Sequence, residues 1–191
     1  EIRVATKTTQ MILKLNSDHT VTIDMGLPLW EPKKIPLLVP QQADTYTLHL
    51  PNHSHHGAEK NHHFHALSVG NPHAVSVVSD VATVELKTLG KAISEHPLFP
   101  EQSNASFMQI VNPHHILLRV YERGCGETLA CGSAAVAAAA TARRFYQLDK
   151  SVTVTLPGGD LIVDWPDQEG TIQLTGPATF VYDGTLYPCV L

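Results

Sequence analysis

The stretch that decides the fold is ERGCGETLACGSAAVAAAA, residues 122–140. Its second half is nearly pure alanine, the residue with the highest helix propensity, whereas the glycines before it oppose an earlier helix start. The stretch therefore predicts a helix from about Ser133 to Tyr146, with Cys131 at its start. Because a helix lined by methyl groups is narrow on every side, it can lie centrally within a sheet, where larger side chains would clash.

Cys131 is the first candidate for a reactive group. Backbone N–H groups at a helix start lack intrahelical partners, and the macrodipole there favours a thiolate and can bind a carboxylate. Glu122 and Arg123 bring charges of both signs to the end of the preceding strand. A cysteine alone is more often a small buried hydrophobe than a reactive group, and these neighbours are what favour a functional interpretation.

The rest of the chain is dominated by short, alternating, β-rich segments bounded by Pro, Gly, Asn or Asp, the last of them over 179–183. Besides the alanine-rich helix, periodicity predicts one around Val84 to Glu95, and Pro157 to Asp160 predicts a hairpin turn. The connections look too short for βαβ crossovers. We therefore expect an α+β fold in which a few helices pack on antiparallel sheets.

Composition limits the partners. The 191 residues carry a formal net charge of −5 and no long basic run, which argues against nucleic acid and membrane surfaces and favours a small-molecule ligand. Three cysteines, an odd number, argue against a disulfide framework and for a reducing compartment. No apolar segment is long enough to span a bilayer, and the first residues lack a signal-peptide pattern. We expect a cytoplasmic protein.

Two further segments stand out. HSHHGAEKNHHFH, residues 53–65, is rich in histidine, but its spacing fits no closed ligand set, so we expect a solvated polar loop and no metal site. The Pro-rich WEPKKIPLLVPQQ, which begins at Trp30, interrupts regular structure and is the best candidate for a lobe boundary.

Five collinear motifs carry a resemblance to a known family: GNPHAV (70–75), NASFMQI (104–110), LRVYERGCGETLACGS (118–133), VTLPGGDLIVDW (154–165) and VYDG (181–184). In this order they resemble diaminopimelate epimerase along nearly the whole chain. The resemblance implies two similar lobes, each a β-rich layer wrapped around a central helix, with the substrate between them. Residues 1–30 then resemble remnant strands of the N-terminal lobe, residues 31–177 the complete C-terminal lobe, and residues 178–191 a strand that returns to the first lobe.

The family's chemistry is the interconversion of LL- and meso-2,6-diaminopimelate, in lysine and cell-wall precursor synthesis, without pyridoxal phosphate or metal. The resemblance implies that Cys131 is one of two catalytic cysteines and that Glu122 contacts substrate and assists the proton traffic of the thiol. The resemblance also implies that His73 helps to set the protonation of the cysteine. The remaining implied substrate contacts come from Asn71, Asn104, Arg123 for the distal carboxylate, and the backbone amides of Gly132 and Ser133 for the reacting carboxylate.

The family's other catalytic cysteine lies in a CGNGxRC-like motif, which these 191 residues lack. Inversion at a carbon needs a base on one face and an acid on the other. We therefore expect the chain alone to be an inactive fragment or a truncated homologue, because Cys125 lies too near Cys131 to face it across a substrate and Cys189 is expected in the first lobe. Two alternatives stay open, a proline racemase-like isomerase and a non-catalytic carboxylate-binding module, and a homodimer is among the assemblies to be tested.

Overall fold

The computed structural model describes residues 1–5, 10–50 and 60–185. The described residues form helices α1 (Leu86–Ser94) and α2 (Gly132–Tyr146), and short 3₁₀ helices at Pro32–Lys34 and Val81–Thr83. The strands are β1 (Ile2–Ala5), β2 (Gln10–Leu15), β3 (Thr20–Asp24), β4 (Tyr46–Leu50), β5 (Lys60–Ser68), β6 (Pro72–Val77), β7 (Asn104–Asn112), β8 (His115–Glu122), β9 (Gly126–Glu127), β10 (Ser151–Leu156), β11 (Gly159–Asp164) and β12 (Gln173–Pro177).

The strands pair in one continuous order, β1-β2-β3-β12-β11-β10-β8-β7-β6-β5-β4, with β9 attached to β8. The first three strands therefore join the rest of the sheet through β12, from the far end of the chain. The predicted hairpin at Pro157 is confirmed, since Leu156 pairs with Gly159 across a two-residue turn between β10 and β11.

Two pairs of neighbouring strands in the described part of the chain are parallel, and for these pairs the prediction of antiparallel sheets is wrong. Strand β6 runs parallel to β7, and β8 runs parallel to β10. Each pair is joined by a crossover that contains one of the helices, α1 in the first case and α2 in the second. The α+β class with a helix-centred β-rich lobe is nevertheless confirmed, because most neighbouring strands remain antiparallel.

Helix α2 is the centre of the larger hydrophobic core, as its alanine composition predicts. Its residues from Ala134 to Ala142 are all buried, so strands surround it over more than two turns. The helix ends at Gln147, which adopts the left-handed conformation with φ 59° and closes the last turn. Small side chains are what allow the sheet to approach α2 from several sides at once.

Helix α1 packs on the opposite face of the same strands, where it forms a second core. Neighbouring residues of one strand divide between the two cores: Ala74 and Phe107 belong to the α1 side, whereas Val75 and Met108 belong to the α2 side. Since side chains alternate along a strand, strands β7 and β8 are covered by α2 on one face and by α1 on the other. The position of a polar residue along its strand therefore determines whether its side chain faces α1 or α2.

The histidine-rich segment differs from its prediction over the residues that the structure describes. Residues 60–65 are not a loop but the first part of β5, where Tyr46 of β4 lies opposite Phe64. Phe64 and His65 are buried. Histidine counts as polar in a sequence pattern but can bury its ring in a sheet. The alternation of apolar and polar residues that is typical of a strand was therefore not recognisable in this segment. Residues 53–59 lie outside the described part of the chain.

The predicted strand over 179–183 is not formed either, since residues 178–185 carry no regular structure and Phe180, Val181 and Tyr182 are largely exposed. The pairing of β12 with β3 instead links the two ends of the described chain. The Pro-rich segment is irregular, as predicted, but it is packed: Ile35 and Leu37 are buried in the α1-side core. The assignment of residues 1–30 and 178–191 to another lobe stays a prediction.

Candidate active site at the start of the central helix

Three adjacent strands present polar side chains in one row beside the start of α2. His73 of β6 pairs with Asn104 of β7. The pairing of Ala105 with Tyr121, continued by one residue, brings Asn104 beside Glu122 of β8. On β8 the residues of the same parity, Ile116, Leu118 and Val120, pack in the α2-side core. Alternation therefore directs His73, Asn104 and Glu122 toward α2.

Cys131, at the start of α2, lies beside this row of polar side chains. It is the N-cap residue, with extended φ and ψ of −145° and 109°, and its carbonyl accepts the first helical bond from Ala135 at 3.0 Å. Its thiol donates a hydrogen bond to Oε2 of Glu122 at 3.0 Å, and Sγ lies 3.5 Å from Oγ of Ser133. Cys131 makes no side-chain cap hydrogen bond, and the N–H groups of Gly132 and Ser133 lie in the first turn, where they have no intrahelical partner.

The protonation of Cys131 differs from its prediction. Burial raises the pKa of the Cys131 thiol above its usual value, and the hydrogen bond to the Glu122 carboxylate and its negative charge act in the same direction. The Ser133 hydroxyl and the N–H of Ala134 oppose this shift but do not overcome it. The helix start therefore does not make this cysteine a resting thiolate, and Glu122 is the group placed to accept its proton.

A chain of hydrogen bonds connects His73 to Cys131. Nε2 of His73 lies 3.0 Å from Oδ1 of Asn71, whose Nδ2 donates to Oγ of Ser133 at 3.3 Å. Because an amide oxygen only accepts, Nε2 carries the hydrogen of the neutral ring. His73 is thus connected to the sulfur through Asn71 and Ser133.

His73 is fully buried, and its Nδ1 has no hydrogen-bond partner among the described residues. Burial, together with the smaller effect of the positive charge of nearby Arg123, lowers the pKa of His73 to about 3. The imidazole is therefore neutral across the physiological range. Its contribution is that of a fixed neutral hydrogen-bond donor to Asn71 rather than that of a titrating base.

Asn104 and Arg123 are linked to each other. The backbone N–H of Arg123 donates to Oδ1 of Asn104 at 2.9 Å, and its guanidinium Nη1 donates to the carbonyl of Glu101 at 2.8 Å. The side chain of Arg123 is exposed. Asn104 therefore fixes the backbone at the end of β8, and Arg123 carries a positive charge near the buried row without forming an ion pair among the described residues.

An open cleft of about 940 Å³ adjoins this cluster. Gly70, Asn71 and Ser133 form one side of it, and residues of β2, β3 and β12, including Lys14 and Gln173, form the other. The cleft therefore lies where the first three strands meet the start of α2. Sequence reasoning missed Lys14 and Gln173, because nothing in a strand pattern reveals which distant strand will lie across from a motif.

The predicted site residues are thus brought together, with Cys131, Glu122, Ser133, Asn71 and His73 in one hydrogen-bonded cluster. Sequence reasoning also missed Thr128, whose hydroxyl donates to Oε1 of Glu122 at 2.5 Å. Its place in GETLACGS, three residues before the cysteine, was the available signal. Cys125 is exposed, and Cys189 lies outside the described residues.

Metal-ligating side chains do not gather elsewhere in the described ranges. No group of three or more His, Cys, Asp or Glu residues in residues 1–5, 10–50 and 60–185 is arranged to hold a metal ion. In the same ranges, no helix has the length and apolar character needed to cross a membrane.

Comparison with known proteins decides the family. The sequence model of the diaminopimelate epimerase family matches residues 65–181, which include every residue of the cluster. The chain belongs to the diaminopimelate epimerase family. Among curated members, it is 56% identical over 186 residues to diaminopimelate epimerases of the Corby and Lens strains of Legionella pneumophila. These alignments cover 97% of this chain but 65% of each relative, so the chain spans less than two thirds of their length.

Solved structures support the fold of this diaminopimelate epimerase family member. A predicted epimerase from Pseudomonas aeruginosa is similar with a TM-score of 0.58 and 15% identity, over 92% of this chain and 62% of that one. A hydroxyproline epimerase from Agrobacterium vitis is similar with a TM-score of 0.54 and 14% identity, over 91% of this chain and 55% of that one. At such identities the likeness concerns the fold alone.

Proposed function

We propose that the protein carrying this chain interconverts LL- and meso-2,6-diaminopimelate, with Cys131 as one of its two acid/base groups. The observation that carries the proposal is the hydrogen bond from the Cys131 thiol to the Glu122 carboxylate at the start of α2. Membership of the diaminopimelate epimerase family and the named Legionella relatives support it. The reaction would serve lysine and peptidoglycan precursor synthesis in the cytoplasm, where thiols stay reduced.

The chemistry requires a proton to leave the α-carbon on one face and another to arrive on the opposite face. Glu122 accepts the thiol proton of Cys131: the S–H bond breaks, an O–H bond forms on Oε2, and the electron pair stays on sulfur. The thiolate then removes the α-proton of the substrate. A raised thiol pKa suits this role, because the protonated form is equally available to return a proton in the reverse direction.

The start of α2 is suited to the reacting carboxylate. The N–H groups of Gly132 and Ser133 belong to the uncapped first turn, where the macrodipole favours negative charge. In the proposed mechanism they bind the α-carboxylate and stabilise the charge that develops when the α-proton leaves. No cofactor takes part in this mechanism, since the thiol, the carboxylate and the helix start supply proton transfer and charge stabilisation.

The other predicted residues receive roles that agree with their contacts. Asn71 orients Ser133 beside the sulfur and lines the cleft, which lets its amide contact substrate as well. Asn104 holds the backbone of Arg123. The exposed guanidinium of Arg123 is the group we assign to the distal carboxylate, which it can bind in bidentate fashion. A substrate with a single carboxylate, such as proline, would leave Arg123 unused.

The test is α-proton exchange of LL-diaminopimelate in deuterated water, followed by NMR, with the protein that carries this chain. We expect exchange with inversion in the unmodified protein, no inversion in Cys131→Ala, and normal exchange with inversion in Cys125→Ala, the matched control at an exposed cysteine. Inversion that survives in Cys131→Ala would overturn the assignment. Turnover of proline instead of diaminopimelate would favour the proline racemase-like alternative, and binding without exchange would favour the carboxylate-binding module.

A further inference from the structure

Both oxygens of the Glu122 carboxylate are used, and each has a different partner. Oε2 accepts the hydrogen bond from the Cys131 thiol at 3.0 Å, whereas Oε1 accepts one from the hydroxyl of Thr128 at 2.5 Å. The threonine therefore binds the oxygen that faces away from the sulfur. A carboxylate held at one oxygen by a short donor has its other oxygen fixed in direction.

We infer that Thr128 is a positioning residue that orients Glu122 so that one carboxylate oxygen faces the thiol of Cys131. The inference rests on the proposed function for its catalytic consequence, but the geometry stands without it. Thr128 lies between Glu122 and Cys131 within one of the five motifs, but the family resemblance assigned no function to it. Its hydroxyl acts through Glu122 and needs no contact with substrate.

The backbone around Thr128 is fixed on its N-terminal side. Strand β9 folds back on β8, where Glu122 pairs with Gly126 and Tyr121 pairs with Glu127. This tight reversal needs left-handed φ values, 77° at Gly124 and 86° at Gly126, which glycine adopts without strain. The turn therefore returns the chain so that residue 128 lies over the side chain of Glu122.

An ion pair anchors the same turn to the α1 side of the sheet. The guanidinium of Arg119 contacts Oε1 of Glu127 through Nη2 at 2.8 Å and through Nε at 2.9 Å. Arg119 also donates to the carbonyl oxygens of Val81 and Val84, at 2.8 and 3.2 Å. A partly buried pair in which two guanidinium nitrogens contact one carboxylate oxygen holds its geometry better than an isolated surface pair. Glu127 is thus immobilised directly before Thr128.

The C-terminal side of Thr128 is held as well. The N–H of Gly158, in the β10–β11 hairpin, donates to the carbonyl of Leu129 at 2.7 Å. A Cβ at position 158 would come within 2.9 Å of that carbonyl oxygen, so this close approach requires glycine. Thr128 is therefore fixed between two anchored residues, which makes its hydroxyl a preorganised donor rather than a mobile one.

The charged and titratable groups near Glu122 and Cys131 determine how ionisation of the Cys131 thiol depends on pH. Glu122 of β8 is the charged group that acts on the Cys131 thiol, whereas the cation of Arg123, in the β8–β9 turn, acts on the buried neutral His73 of β6. The Glu122 carboxylate raises the pKa of the thiol through its hydrogen bond and its charge. If Thr128 no longer holds Glu122, the carboxylate turns away and the thiol loses proton more readily.

The test uses the protein that carries this chain. It compares Thr128→Val, which removes the hydroxyl and keeps the shape of the side chain, with Thr128→Ser, which keeps the hydroxyl. Loss of a hydrogen bond to a charged group should lower kcat by about tenfold to a hundredfold in Thr128→Val, with little change in KM. Thr128→Ser should restore the rate. The pH profile of iodoacetamide labelling at Cys131, read by mass spectrometry, should move to lower pH in Thr128→Val alone, with labelling at exposed Cys125 as the internal control.

Thr128→Ala lacks the hydroxyl too and should show the same displacement, so it replaces the valine variant if that protein does not fold. A wild-type labelling profile in either folded variant would overturn the inference, as would equal losses in the serine and valine variants. A displaced profile in a protein that never exchanges the α-proton would overturn the proposed function and still support the placement of Glu122 by Thr128.

Discussion

Burial shifts the pKa values of the two most buried titratable groups of the cluster in opposite directions. For Cys131 it favours the neutral thiol, and for His73 it favours the neutral imidazole, because removal from water penalises whichever form carries a charge. In the proposed mechanism Glu122 receives the thiol proton. The helix dipole, which taken alone favours a thiolate, acts against the effect of burial at this position.

His73 should make the protein less stable as the pH falls. Its pKa is 6.5 in the unfolded chain and about 3 in the folded one, so the unfolded chain binds more protons between these values. The contribution of His73 to the free energy of unfolding is then fully present above pH 6.5. It is lost as pH falls toward 3, at up to about 1.4 kcal/mol per pH unit. His73→Asn should flatten this dependence of the free energy of unfolding, measured with urea at a series of pH values.

Exposed His114 is the matched control, and His114→Asn should keep the wild-type slope. The free energy of unfolding of His73→Asn should still depend on pH to some extent, because burial also lowers the pKa of His65. Equal slopes in wild type and His73→Asn would contradict the interpretation of His73 as a permanently neutral donor.

Helix α1 and strand β8 approach each other more closely than ordinary side chains allow. A Cβ at Gly90 would lie 2.6 Å from Cβ of Tyr121. The clash involves the root of the tyrosine side chain, which cannot rotate away without moving the strand. Because β8 ends at Glu122, the contact between α1 and Tyr121 also fixes the element that presents the carboxylate to Cys131.

Gly90→Ala should therefore destabilise the protein by about 1 to 3 kcal/mol, as overpacking does, despite the better helix propensity of alanine. In a chain of this size that corresponds to a loss of roughly 2 to 4 °C in Tm per kcal/mol. Lys87→Ala, on the exposed face of α1, is the control and should change Tm little. An unchanged or raised Tm in Gly90→Ala, measured by circular dichroism, would show that α1 can move away from β8.

At the scale of the whole molecule, the cleft adjoins one proposed acid/base group, Cys131. Asn71 and Ser133, which are hydrogen-bonded beside it, line the cleft on the α2 side, and across the opening are side chains of the first strands and β12, such as Lys14 and Gln173. The chain also spans 65% of the length of its Legionella relatives. Inversion needs acid/base groups on both faces of the substrate, which these 191 residues are not expected to supply.

We expect the 191-residue chain by itself to show no epimerisation of diaminopimelate. Loss of one member of an acid/base pair typically lowers a rate by roughly 10² to 10⁴, and an open cleft also admits water to the carbanion. The measurement is α-proton exchange in deuterated water for this chain and for a version extended upstream through the expected second cysteine motif. Exchange with inversion in the shorter protein would show that it contains a second base.

The sequence by itself determined the local features of this protein. The glycines and alanines of residues 122–140 predicted the start and burial of α2, the Pro-Gly pair predicted the β10–β11 turn, and the collinear motifs predicted the family. Each of these depends on neighbours within a few residues or on the order of short motifs. Helix propensity, turn chemistry and motif order are readable without knowledge of distant contacts.

The tertiary structure alone decided the contacts between distant segments. Whether Cys131 is a thiol depends on burial and on Glu122, which only the packing of α2 against β8 brings together. The parallel pairs, the strand at residues 60–65 and the partner of Thr128 likewise depend on which strands become neighbours. Strand pairing and burial are collective properties of the folded chain, so a residue's own type does not specify them.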